Sequence, residues 1–419
     1  MQQRSTSDFH GSVPPEFELL LLCARTKQDQ AEESRIETLV QHDLDWAGFI
    51  RQAIDHQVLP LVHQTLRGVA QERIPPEVME ELRQLSGAIL RRNLFLFTKL
   101  LQAVDLLKTH EIPMIPYKGP VVASLAYGNI GLRQFSDIDI LVSPSRYRQA
   151  RELLLANGYV LAGEWDHEAR LVDGLDGADL DLHRTIMPKR IPFLADFEAL
   201  EQNLTPIVVA GREIVSLSPE DTLIVLCVQM VKDAAGIRPL LLIKVCDIAE
   251  LLRAHPDMNC QAVVRKAETL GCAGMVAFGL LMARQLLDAP VPDLSLPSPG
   301  PRDLQLLSEH VTDRLANQWS PGFGARLGAK RFHFKVRERW RDKLYPYVHE
   351  VARALTPTDL DREFFPLPRR FWPMYFFLRP VRLLRDRYQR FRCAAESEVP
   401  SPSTRQNSDT SPGPDSSKH

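Results

Sequence analysis

With 419 residues, 44% apolar and 25% charged, the chain is long enough for two or three domains with cores of their own, and its composition excludes a fibrous repeat or disorder throughout. The formal net charge of -2 hides an uneven distribution: residues 326–392 hold 18 Lys/Arg against 7 Asp/Glu, so an anionic partner is sought there. Six scattered cysteines without CxxC spacing argue against a zinc site or a disulfide scaffold; with no signal-like start and no apolar run of roughly 18 residues, a reducing, cytoplasmic setting is expected.

Residues 1–15 read as a flexible terminus. From 16 to 110 apolar residues return at three and four (Trp46, Phe49, Ile50, Ile54; Leu96, Leu100, Val104, Leu107), which predicts a helical segment. Between 111 and 217 the pattern changes to short branched runs (IPMIPY, DIDILV, ADLDLH, PIVVAG, REIVSL) broken by Gly, Pro and Asp, with one helix over 145–157. That is a mixed α/β unit. Ser218, an N-cap followed by Pro219 and Glu220, opens a helical domain over 218–290. Pro-rich punctuation marks a linker near 290–301, and 291–392 reads as that linker plus a basic, aromatic segment. The Ser/Pro-rich tail, 393–419, reads as disordered. The fold class is therefore α+β: a mixed sheet with flanking helices, preceded and followed by helical segments.

In the run Ser136-Asp137-Ile138-Asp139-Ile140, strand alternation puts Asp137 and Asp139 on one face and the isoleucines on the other. Their Cβ atoms then stand roughly 6–7 Å apart, too far to share a proton but well placed to grip one or two divalent cations. The run Asp179-Leu180-Asp181-Leu182-His183 repeats the pattern, so a third carboxylate can join from a neighbouring strand. Such a trio suits phosphoryl chemistry, with Asp181 as base or metal-bridging ligand. Upstream, Lys118 and Gly119 form a turn into an apolar helix over 121–127 with Pro120 at its first position. Backbone N–H groups there can cradle phosphate oxygens, Lys118 adds a cation, and Arg133 can add a bidentate phosphate contact.

The order KG, then R-x-F-S-D-I-D-I-L-V, then a helix ending in N-G-Y, then D-L-H, resembles the nucleotidyltransferase superfamily related to DNA polymerase β, and within it the bacterial family of uncharacterised nucleotidyltransferases (NTP_transf_5 type). The resemblance covers roughly 20–290 and is sharp between Lys118 and His183. It implies a nucleotidyltransferase-type mixed sheet and an enzyme that moves a nucleoside monophosphate from an NTP, ATP by default, to a hydroxyl or phosphate acceptor, releasing pyrophosphate. Mg²⁺ or Mn²⁺ would be held by Asp137, Asp139 and Asp181, and the nucleotide phosphates by Lys118 and Gly119; beside that resemblance, Arg133, Ser136 and His183 are further candidate nucleotide contacts. In the wider superfamily the turn is Gly-Ser or Gly-Gly; here it is Lys118-Gly119, so a serine contact to the triphosphate is missing.

The implied acceptor is a small molecule, a sugar or a peptide; the alternatives are a protein partner modified by nucleotidylation and a catalytically silent nucleotide-binding module. Asp247, with Lys232, Arg238 and Lys244, reads either as contacts to nucleotide or acceptor or as a solvated helical face. His183 reads as orienting Asp181, as touching substrate or as structural, and His167 as a weaker case of the same kind. The segment 373–391 mixes aromatic and basic residues: its aromatics are expected to pack on the helical domain, peripheral membrane contact is the alternative, and nucleic acid is set aside.

Overall fold

In a computed structural model, the structure describes residues 13–188, 191, 193, 195–234, 240–292 and 301–316, with single positions between 335 and 385. The expectations for 1–12, for 293–300, for Arg238, for most of the segment 326–392 and for the tail lie outside the described residues. The chain divides into two compact units, Met1–Leu344 and Tyr345–His419. Every element below belongs to the first unit; the second is described at residues 348, 374, 375, 378 and 385 alone.

Helices come first: α1 (Pro15–Cys23), α2 (Gln30–Leu39), α3 (Trp46–Asp55), α4 (Leu59–Val69) and α5 (Pro76–Thr109). Helix α2 starts on a capping box, in which Asp29 accepts from the Glu32 N–H at 2.8 Å and Glu32 accepts from the Asp29 N–H at 3.0 Å. Pro76 pre-sets the first turn of α5, whose 34 residues run about 50 Å at 1.5 Å per residue. Its buried stripe (Leu82, Asn93, Leu96, Leu100, Leu107) changes partner along the way, from the N-terminal helices to the sheet.

The sheet contains β1 (Met114–Pro116), β2 (Asp137–Val142), β3 (Tyr159–Glu164), β4 (Glu168–Asp173) and β5 (Asp179–His183), in the order β1-β2-β5-β4-β3. Strands β2 and β5 are parallel and the other neighbours antiparallel. Pro116, which has no N–H for a ladder, sits on an edge strand where that donor is not needed. Helix α6 (Pro120–Tyr127) follows β1, and α7 (Tyr147–Ala156) with the β3–β4 hairpin makes the crossover from β2 to β5. One face of the sheet is apolar: Ile138, Ile140, Leu180 and Leu182 are fully buried against α5 and α7, each burial contributing about 1.5–3 kcal/mol. The α+β class expected from the sequence is the one observed.

After a short helix α8 (Phe197–Glu201) and the hairpin β6 (Leu204–Val209) and β7 (Arg212–Leu217), helices return: α9 (Pro219–Ala234), α10 (Ile243–Ala254), α11 (Cys260–Leu270), α12 (Ala273–Leu287) and α13 (Pro301–Ala316). The Ser218 hydroxyl accepts from the Asp221 N–H at 3.2 Å, so the expected N-cap is made. These helices share one core with α1–α4 and with part of α6. Among the described residues no helix is long and apolar enough to cross a membrane.

Candidate active site

The second face of the sheet is acidic. Because β2 and β5 are parallel and in register, Asp137 pairs with Asp179 and Asp139 with Asp181, which brings carboxylates from two strands side by side. Asp139 is 5% exposed, and Asp137 and Asp181 are partly buried. One ligand atom from each of Asp139, Asp181 and His183 lies within 4.8 Å of the other two, so these three are the cation-sized group among the described residues. Asp137, two residues before Asp139 on the same face of β2, lies outside that group.

Asp139 is braced from both sides. Lys118 Nζ donates to Asp139 Oδ1 at 2.6 Å, and His183 Nε2 donates to the same oxygen at 2.8 Å. His183 thus orients Asp139 rather than Asp181: it stands two residues beyond Asp181 on the same face of β5, and its Nε2 bonds Asp139. The imidazole is walled by Tyr117, edge-on at 5.4 Å, and its Nδ1 is 3.3 Å from Glu168 Oε2 without hydrogen-bond geometry. His167, one residue ahead of β4, has its Nε2 3.3 Å from Glu168 Oε2 and its Nδ1 3.1 Å from Asp166 Oδ1.

Charge in this cluster does not close. Burial would raise Asp139, but the Lys118 charge and the hydrogen bonds from His183 and Lys118 outweigh it and hold the carboxyl well below its usual range. Burial and the neighbouring Asp139 push Asp137 up. Asp181 has no such brace: burial, Asp139, Asp137 and Glu168 push it up to about 7. Burial pulls His183 down, so the ring is neutral with its proton on Nε2. Among the described residues, three carboxylates therefore face one contacting ammonium, an excess of negative charge that a hard divalent cation would neutralise.

The turn before α6 is built for close approach. Gly119 has φ +51, and a Cβ there would stand 3.3 Å from the Asp137 carbonyl oxygen and 3.5 Å from the Phe135 ring. A side chain is thus strained by the backbone conformation and crowded by the start of β2. Lys118 lies on the same turn, and Ser136 is exposed one residue ahead of β2.

Arg133 is placed differently from the expectation. Its Nε and Nη2 bond both oxygens of Asp247 at 2.7 and 2.8 Å, and Tyr127 Oη adds a third bond to Asp247 at 2.8 Å. The bidentate partner of Arg133 is a carboxylate of its own chain instead of a phosphate, because Asp247 on α10 is fully buried and offers both oxygens. Asp247 is accordingly neither a solvated helical face nor an open ligand contact. Asn93, also buried, fixes the approach to β2 by donating to the Ile130 and Arg133 carbonyls at 2.7 and 2.9 Å.

Lys232 and Lys244, by contrast, reach the site electrostatically. Burial, with Lys118 and Lys244 nearby, pulls Lys232 down, and Lys244 is among the cations that oppose the rise of Asp137. Glu168 and Arg170 are site neighbours that the sequence reading missed. Both stand on β4 opposite His183 and Asp181, and the only signal was the alternation of charged with buried residues in EARLV.

The family described as uncharacterised nucleotidyltransferase matches residues 42–288 of the 419, more than half of the chain. No curated protein matches. Among solved structures, that of the antibiotic-resistance factor ANT(2'')-Ia is 17% identical, covers 44% of this chain and 93% of its own, and has a TM-score of 0.29. An antigenic nucleotidyltransferase-like protein from Paracoccidioides brasiliensis is 12% identical, covers 50% and 94%, and has a TM-score of 0.30.

Proposed function

The chain belongs to the uncharacterised nucleotidyltransferase family, and from that premise we propose that it moves a nucleoside monophosphate from ATP to a hydroxyl of a small-molecule, sugar or peptide acceptor, releasing pyrophosphate. The observation that carries this reading is the in-register pair Asp139–Asp181, whose negative charge Lys118 leaves only partly neutralised.

Asp137, Asp139 and Asp181 would hold Mg²⁺ or Mn²⁺ through hard oxygen donors while His183 stays on Asp139; once bound, the cation supplies charge neutralisation at the triphosphate and a more acidic hydroxyl. Gly119 and the first turn of α6 present backbone N–H groups to the phosphates, and Lys118, Lys232 and Lys244 supply positive charge beside them. The acceptor oxygen attacks the α-phosphorus, the bond to the bridging oxygen of the β-phosphate breaks, and its electron pair leaves with pyrophosphate. The acceptor proton passes to Asp181, the carboxylate that Lys118 and His183 leave unbraced. His183 and Lys118 keep Asp139 ionised and fixed while this happens.

The test is transfer from α-labelled ATP with Mg²⁺ to a pool of small acceptors, comparing wild type with Asp181→Asn. The expected result is labelled small-molecule product and pyrophosphate in equal amounts, reduced on the order of 10²–10⁴-fold in the variant. Equal rates in the two proteins, or label on protein alone, would contradict the reading.

A further inference from the structure

The acidic face of the sheet continues past its carboxylates. Following the register outward at one level, Asp139 on β2 pairs with Asp181 on β5, Asp181 with Arg170 on β4, and Arg170 with Gly163 on β3. Paired residues share a face, so Gly163 opens on the side that carries Asp181, about 10 Å away at two strand spacings. The register shifts between Leu161 and Gly163, and a methyl group on residue 163 would come within 2.7 Å of Trp165 Cη2. Glycine is therefore what lets the Trp165 indole lie against the strand, on the same face as Asp181. That ring is 51% exposed, and Val160, which shares the face through its pairing with Val172, is 59% exposed. Arg170, the register partner of Gly163, shares this face; its Nε and Nη2 bond Asp179 at 2.9 and 3.0 Å, and the bonds to Asp179 do not use Nη1.

This inference rests on the proposed nucleotidyl transfer. There the phosphates lie at Lys118 and Gly119, at the β1–β2 side of the sheet. Attack in line with a leaving pyrophosphate on that side brings the acceptor from the opposite one, over β4 and β3. Trp165 and Arg170 thus stand where an acceptor has to lie. A flat apolar ring bordered by Arg170 and Glu168 matches a pyranose, whose C–H face stacks on an indole and whose hydroxyls reach the charged rim. The geometry points to a sugar-binding platform made by Trp165, Val160 and Arg170, which holds the acceptor's ring while one of its hydroxyls reaches Asp181.

The full chain, labelled with 5-fluorotryptophan, tests this by fluorine NMR in the presence of Mg²⁺ and a non-hydrolysable ATP analogue, with the Trp165 signal assigned from Trp165→Phe. The probes are methyl glucopyranoside, methyl galactopyranoside and N-acetylglucosamine, with sorbitol as a ringless polyol and a short apolar peptide as a strand that could pair with the β3 edge. The expected result is that a pyranoside moves the Trp165 signal and sorbitol does not. Trp165→Ala should then weaken that sugar about tenfold, and Trp165→Tyr should weaken it less. A Trp165 signal that no pyranoside moves, or that the peptide alone moves, overturns the platform while leaving nucleotide binding intact. Failure of the wild type to bind the ATP analogue would instead count against the transfer reading itself.

Discussion

Two charge clusters draw on the stretch from Lys118 to Asp139, and they are built to opposite rules. In the first, Arg133, Asp247 and Tyr127 close on one another: two guanidinium bonds and one phenol bond satisfy a carboxylate that is fully buried. In the second, Asp137, Asp139 and Asp181 share one contacting ammonium, and the surplus appears as the raised Asp181. A closed cluster fixes structure, here by tying α10 to the loop before β2. An open one stores an electrostatic cost that a ligand can relieve, which is what a metal–nucleotide site needs.

Breaking each cluster should therefore have opposite consequences. Asp181→Asn gives the largest effect on activity, the loss of transfer already described, with no loss of stability. The folded pKa of Asp181 lies above its unfolded value, so its favourable contribution is present at low pH and lost as pH rises through about 7. In chelator at pH 8 the ionised carboxylate is a cost that Asn removes, and the melting temperature of the variant should equal or exceed that of wild type. Asp247→Ala should do the reverse, leaving a buried guanidinium unpaired at a cost of about 3–5 kcal/mol, read as a fall in the denaturant midpoint. An Asp247→Ala protein as stable as wild type would erase the distinction.

Gly119→Ala sharpens the comparison at the phosphate turn. Its φ of +51 and the 3.3 Å approach to the Asp137 carbonyl predict about 1–2 kcal/mol of strain, together with weaker ATP binding as the turn relaxes. The smallest effect is expected at His56, a partly buried group satisfied only when neutral. Its Nε2 donates to the Leu315 carbonyl at 3.1 Å, while its Nδ1 accepts from the Leu242 N–H at 3.2 Å. Burial pulls its pKa below 6.5, so the stability it contributes is present above that value and lost as pH falls through the lower, folded pKa. Between pH 6.5 and 5 the melting temperature of wild type should drop more steeply than that of His56→Gln.

The open cluster was legible in the sequence because strand alternation alone sets which residues share a face. DIDIL and DLDLH each put their acids on one side and their buried Ile or Leu on the other, and the parallel register then made them neighbours. The closed cluster was not legible, since Arg133 and Asp247 are 114 positions apart and meet only through tertiary packing. Strands β3 and β4 went unread for a different reason. YVLAGE exposes most of its apolar residues on an edge, and EARLVD buries only Ala169 and Leu171 deeply among polar neighbours, so neither resembles a core strand. With them went Glu168, Arg170 and the setting of Trp165. Helix α13 also went unread, because the Pro-rich stretch before it read as a linker into a basic, aromatic segment.

The central claim is that the open cluster holds a metal–nucleotide complex. Calorimetric titration of ATP with Mg²⁺ into wild type and into Asp137→Asn/Asp139→Asn tests it directly. The account predicts Mg²⁺-dependent binding to wild type that disappears in the double variant, while both proteins keep a cooperative unfolding transition. Equal binding in the two proteins, or none in either, would contradict it.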